Sequence, residues 1–129
     1  MQEFIALAKS RPGQLNHASA GSGGSPHLAG ELFNMLAGVK IQHVPYKGSG
    51  PLITDLIGGQ VQLAFAVPFG ALPHIKSGRL RAIAVSGESR LPALPQVPTF
   101  TEAGLPGFNV TNWYGVLAPA GTPKDIVAK

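Results

Sequence analysis

At 129 residues the chain has room for one ordinary domain with a single modest core, and 44% hydrophobic against 12% charged residues excludes a disordered chain. The formal net charge of +4 comes from scattered Lys and Arg with no aromatics interleaved, which excludes a nucleic-acid binder, and zero cysteines exclude a disulfide scaffold and any thiolate metal site. The charged fraction is far below the usual quarter, so part of the surface is expected to be covered by something else, while no apolar run reaches the ~18 residues of a membrane span.

The amino end, MQEFIALAKSRPG, has no basic leader, apolar run and cleavage site, so no export signal is expected in this chain. It reads as the last turns of a helix. Phe4, Ile5, Leu7 and Ala8 are its buried side, Lys9 and Arg11 suit its carboxyl end, and Pro12-Gly13 stops it. A chain that opens inside an amphipathic helix is expected to belong to something longer.

Leu15 to Ala20 is a short, mostly apolar strand that ends in Gly21-Ser22-Gly23-Gly24-Ser25-Pro26. A helical pattern follows at once, with Leu28, Leu32, Phe33 and Leu36 as its apolar stripe, Ser25 as its N-cap and Pro26 at its first position. A strand, a glycine-rich turn and a helix N-terminus in succession make an anion cradle: first-turn N–H groups have no helical partner, and the dipole favours negative charge. The hydroxyls of Ser19, Ser22 and Ser25 add to it.

Val39 to Tyr46 reads as a strand whose end Pro45 demotes to a sheet edge. A second glycine-rich turn, Lys47 to Pro51, opens a second helix capped by Ser49 or Gly50, with Leu52, Ile53, Leu56 and Ile57 facing inward. Val61 to Val67 is the most strand-like run, a third short helix carries Ala71, Leu72 and Ile75, and Leu80 to Val85 is a fourth strand. Four strands alternating with three helices predict an α/β, three-layer domain with a mostly parallel sheet, whose ligand lies beyond the carboxyl ends of the strands.

From Glu88 the prolines fix an irregular excursion around a helical turn at Thr99 to Ala103. Phe108 to Leu117 resumes β character, with Trp113 packing or rimming the cleft. A final helix is expected to start at a capping box made of Thr122 (the cap), Pro123 at the first helical position and Asp125.

No catalytic constellation is defensible from spacing. The four histidines (17, 27, 43 and 74) fall one per element, so no metal site is expected. The Gly21 to Gly24 turn lacks both the acidic residue of a dinucleotide fingerprint and the Lys of a P-loop, so no cofactor is expected either. Two alternatives to solute binding stay open. One is a small hydrolase or isomerase using Ser22 and His27, with Asp55 as an imaginable third member. The other is a self-associating structural fragment without ligand.

The stretches LNHASAGSGGSPHLAGELFNMLAG, VPYKGSGPLITDLIGGQVQLAF, LPHIKSGRLRAIAVSGESRLPALPQVPTFTEAGLPGF and WYGVLAPAGTP resemble the tripartite tricarboxylate transporter substrate-binding proteins, the TctC or Bug family, over nearly the whole chain. The resemblance implies one lobe, the second, of a type II periplasmic binding protein, which is non-catalytic, closes on a small carboxylate and delivers it to a membrane permease. It implies a periplasmic location, and it makes residues 1–12 and 118–129 crossover segments toward a first lobe that is missing. A homodimer through the terminal segments, whose apolar faces would have lost their partner, is then expected. Position by position it implies that Ser19, Ala20, Gly21, Ser22, Gly23, Ser25 and His27 form the carboxylate-facing turn, with Tyr46, Lys47 and Gly48 as the neighbouring wall. Where many members carry an aspartate after the apolar strand, this chain has Ala66, which disfavours an amino-bearing ligand.

Overall fold

The computed structural model describes residues 1–112 and 115–128; Trp113, and the role expected of it, lie outside the described residues. The elements run α1 (Gln2–Ser10), β1 (Asn16–Ser19), α2 (Ser25–Ala37), β2 (Gln42–Pro45), α3 (Ser49–Ile57), β3 (Leu63–Ala64), α4 (Pro68–Lys76) and α5 (Lys124–Val127). The strands form one parallel sheet in the order β2-β1-β3, with His17 opposite His43 on one side and Leu63 on the other. As expected of a strand that ends in proline, β2 is an edge.

Side chains of a strand alternate between faces, and β1 shows what each face meets. Leu15 joins a cluster with Ile5 and Ala8 of α1, Ala29, Phe33 and Ala37 of α2, and Phe100, Leu105 and Phe108 from the irregular stretch. Ala18 points the other way, against Leu52, Ile53 and Val61, with Tyr46 at the margin. Two helical layers therefore enclose the sheet, which is the expected three-layer arrangement.

The expected stripe of α2 is only partly buried: Phe33 is in the core and Leu32 packs against it, but Leu28 and Leu36 are not buried. Ala29, Gly30, Phe33 and Ala37 face inward, while Leu28 is 58% exposed and Leu36 sits at the surface. Small residues win this face because α2 lies so close to the sheet that the His17 ring rests directly on Gly30. The Asn34 side chain closes the following turn, donating to Ile41 O (2.9 Å) and accepting from Ile41 N–H (3.1 Å).

Leu80–Val85, expected as a fourth strand, lies outside the sheet and has no regular strand assignment. Its ladder contact is a single bridge between Val85 and Thr99, with Val85 N–H donating to Pro98 O and Phe100 N–H to Val85 O. A trench-like cavity of about 680 Å³ is lined by residues of both this run and Leu63–Val67, and among the described residues no ladder joins the two. Nor do the described residues of Phe108–Leu117 form a strand. The capping box expected at Thr122 is absent: Thr122 Oγ1 donates back to Pro119 O (2.8 Å), and Pro123 rather than Thr122 precedes α5. A reciprocal box forms instead between Thr99 and Glu102 (2.8 and 3.1 Å), and Arg90 holds the same carboxylate at 2.8 Å. On α1, Ile5 and Ala8 are buried in the chain's own core and Phe4 packs against it, whereas Leu7, expected on the same side, is 40% exposed because it points away from that core.

Candidate functional site

Three parallel strands deliver their carboxyl ends to one edge of the sheet, and each exit leads into a helix. Ala20 to Gly24 joins β1 to α2, Tyr46 to Gly48 joins β2 to α3, and Phe65 to Val67 joins β3 to α4. The first and third exits line a cavity of about 360 Å³, with Ala20, Gly21, Ser22, Ser25 and Ala66 of the expected site in its wall, whereas Tyr46, Lys47 and Gly48 of the second exit do not line it. Gly24, Pro26, Ser49, Leu52, Phe65, Val67 and Asn112 complete its wall.

The turn works by leaving backbone donors unused. Gly24, not Ser25, precedes the first turn of α2, and the Ser25 hydroxyl donates to Asn112 Oδ1 at 3.1 Å instead of capping the helix. Among the described residues the N–H groups of Ser22, Gly24 and Ser25 have no acceptor, and neither do those of Ser49 and Gly50 at the start of α3. Gly48, not Ser49 or Gly50, precedes α3, at φ 107°, and its N–H donates to Ala20 O at 3.2 Å, which fastens the second turn to the first. Gly23 has φ 81° with nothing within 4 Å of a notional Cβ, so its requirement is conformational rather than steric.

Beneath the turn the fold assembles three histidines that lie far apart in the chain. The His27 and His43 rings stack with centroids 3.9 Å apart, and His17 stacks on His43 at 5.0 Å. Ser19 spends its single hydroxyl proton on Gly21 O (2.6 Å), so His43 Nε2, 2.7 Å from Ser19 Oγ, carries a proton and donates to it. Gly23 N–H donates to His27 Nδ1 at 3.0 Å. Glu31 Oε1 stands 3.8 Å from His17 Nε2 and 3.9 Å from His27 Nε2, outside hydrogen-bond reach of both.

His17 is 1% exposed, and neither ring nitrogen has a partner. Burial holds its pKa below the ordinary imidazole value, helped by His43 and opposed by Glu31. Burial also lowers His43, with His27 as the next cause. The sign follows directly. As pH falls through the ordinary imidazole range the unfolded chain takes up these protons first, so stability held at neutral pH is lost toward acid.

The remaining expected residues take other places. Ser19 is fully buried and supports the turn from below rather than lining the cavity. Gly23 and His27 lie beside the lining. Tyr46 donates its hydroxyl to Asp55 Oδ2 at 2.7 Å, a bond that raises its pKa, and its ring packs with the α3 core. Lys47 is exposed in the second turn. Ser22, His27 and Asp55 are not brought together as a triad, because His27 Nδ1 serves Gly23 and Asp55 serves Tyr46. Among the described residues no group of three or more His, Asp or Glu is placed to hold a metal ion, and no helix is long and apolar enough to cross a membrane.

Asn112 was not expected at the site. It arrives from the irregular stretch far along the chain, and no local pattern marks it. Phe65 and Val67 flank Ala66 and were within reach of the same reading.

The family model described as tripartite tricarboxylate transporter family receptor matches residues 1–129. Protein BugT of Bordetella pertussis is 43% identical over 98% of this chain and 39% of its own length. A protein of Pseudomonas sp. strain P51, encoded in a tcbD-tcbE intergenic region, is 44% identical over 98% of the chain and 38% of its own. Among solved structures, R. palustris Rpa4515 with adipate superposes with a TM-score of 0.95 at 39% identity, over 99% of this chain and 43% of that one. MatC from Rhodopseudomonas palustris with bound malate gives 0.89 at 38% identity, over 99% and 44%. The chain thus spans about two fifths of the length of these four relatives.

Proposed function

The chain belongs to the tripartite tricarboxylate transporter receptor family, and from that premise we propose that it is the second, carboxylate-holding lobe of a periplasmic solute receptor. One observation carries the reading: unpartnered N–H groups from the starts of α2 and α3 converge on a single cavity at the carboxyl ends of the strands. Such donors complement a carboxylate, which offers about four lone pairs and a charge that the helix dipoles favour. The bound adipate and malate of the two R. palustris relatives support the same chemistry here.

The ligand-facing set is Ala20, Gly21, Ser22, Ser25 and Ala66. Ser19, Gly23 and His27 hold the turn, and Tyr46, Lys47 and Gly48 form the neighbouring exit. With Ala66 beside Phe65 and Val67, the far wall is uncharged and apolar, which favours an aliphatic dicarboxylate over an amino acid. Delivery to a membrane permease is the role of the complete receptor, to which residues 1–12 and 118–129 would connect as crossover segments.

One lobe supplies half of the contacts of a closed receptor and leaves them facing water, where charge-assisted hydrogen bonds contribute least. The expected Kd for malate or adipate is therefore about 1 mM, roughly 4 kcal/mol of binding free energy. Titration calorimetry measures it. Sub-micromolar binding by a monodisperse monomer would show that a second lobe is not needed, and no heat with any di- or tricarboxylate would remove the reading.

Of the terminal segments expected to mediate a homodimer, the carboxyl-terminal one offers the more exposed apolar surface. With Ile5 and Ala8 buried, the exposed apolar residues near the carboxyl end are Val116, Leu117, Ile126 and Val127. A two-fold contact through these is the cheapest way to cover them. Light scattering over a concentration series is expected to show a dimer that Ile126→Glu dissociates. A dimer indifferent to that charge would place the contact elsewhere.

A further inference from the structure

We infer that His27 couples anion capture to proton uptake. As the neutral ring it occupies the Gly23 N–H, and as the imidazolium it releases that N–H and adds a positive charge and a second donor beside the cavity. The inference rests on the carboxylate reading above and deepens it.

The geometry begins with the tautomer. His27 Nδ1 accepts from Gly23 N–H at 3.0 Å, so in the neutral ring the proton sits on Nε2, toward Glu31. A second proton has only Nδ1 to occupy. There it would oppose the Gly23 N–H donor to donor, and that bond must break. Gly23 lies between Ser22 and Gly24, both of which line the cavity. Freeing its N–H therefore converts a turn satisfied from within into one that needs an external acceptor.

The neighbours decide where the proton goes. The groups facing the stack are His17 and Ser19 from β1, His43 from β2, Glu31 from α2 and the uncharged ring of Phe65 after β3. His17 is 1% exposed and neither nitrogen has a hydrogen-bond partner, so a charge there would lose its hydration, a cost that outweighs Glu31 at 3.8 Å. His43 lies between the other two rings, and its Nε2 is committed to Ser19. His27 is the outermost ring, with 26% of its side chain exposed, and Glu31 stands 3.9 Å away as a counter-charge. A charge on one stacked ring disfavours a charge on the next, so the three rings do not take up added protons independently. The lowered pKa values of His17 and His43 agree with this.

The test is titration calorimetry of the chain with malate and with adipate at about pH 8, 7 and 6, in buffers of differing ionisation enthalpy. Circular dichroism confirms the fold at each pH. The expected result is an affinity that rises toward acid by up to about tenfold per pH unit, the ceiling for one linked proton, with net proton uptake on binding. His27→Gln is expected to bind without proton uptake. An affinity independent of pH, or uptake that persists in His27→Gln, overturns the inference. A ligand-free measurement keeps the two readings separable. In ¹⁵N NMR spectra the Gly23 amide is expected to shift with the His27 ring titration, and a Gly23 amide that ignores that titration overturns the coupling. If no carboxylate binds at any pH, the carboxylate reading and the capture step fall together, while the Gly23 amide still reports whether the ring releases the turn.

Discussion

Replacing Gly30 by alanine is expected to destabilise the protein by about 2 to 3 kcal/mol, the upper part of the usual range for overpacking a tight core. The new methyl would overlap the His17 ring, meeting its Cε1 and standing 2.6 Å from its Nδ1. A long flexible side chain could yield, but this ring cannot. It is 1% exposed, stacks on His43 at 5.0 Å and meets Phe65 in a T-shaped contact at 5.7 Å. Relief would require α2 to move off the sheet, and α2 carries the first turn of the site. The control is a double-mutant cycle with His17→Ala, which removes the ring and leaves room for the methyl. Urea melts should show the two changes together costing at least about 1 kcal/mol less than the sum of each alone. If Gly30→Ala is silent, α2 does not approach β1 as closely as described.

Phe33→Ala is expected to cost more, about 3 to 5 kcal/mol, because it deletes a buried aromatic and leaves a cavity. Phe33 is 2% exposed and touches rings from three separate parts of the chain: Phe4 (centroids 6.1 Å apart), Phe65 (5.9 Å) and Phe100 (6.3 Å). It therefore joins α1, the exit of β3 and the irregular stretch to one helix. Against a total of about 5 to 15 kcal/mol for a domain, that loss leaves little reserve at physiological temperature. Chemical denaturation should show the midpoint falling sharply. A loss below about 1 kcal/mol would mean that the stacked Phe100–Phe108 pair, 3.8 Å apart, sustains this core without Phe33.

What was legible in the chain was local. The glycine-rich turn before α2, the proline that makes β2 an edge and the α/β alternation each follow from a few adjacent residues, and each is present. Features that depend on a neighbour were not legible. Leu80–Val85 has the composition of a strand, but a strand exists only where another chain segment pairs with it. The stripe on α2 was read from residue size, whereas the close approach of the helix selected Ala29, Gly30 and Ala37. The histidine stack is the clearest case. His17, His27 and His43 show no spacing that predicts contact; the parallel register puts His17 opposite His43, and the first turn of α2 lays His27 on top. The T-x-x-E pattern at Thr99 was open to reading, since a capping box needs only four residues.

The trench between Leu63–Val67 and Leu80–Val85 bears on how the protein fails under stress. Its walls include Leu63, Phe65, Ile83 and Val85, and among the described residues the edge strand β3 has no ladder partner across the gap. An open, apolar sheet edge is a template for pairing with another molecule. Arg79 and Arg81 at one end of the trench, together with the overall charge of +4, oppose that encounter through repulsion. Salt screens repulsion but strengthens apolar contact. Ionic strength, which leaves the buried core nearly untouched, therefore governs whether heated protein stays in solution or aggregates along this edge.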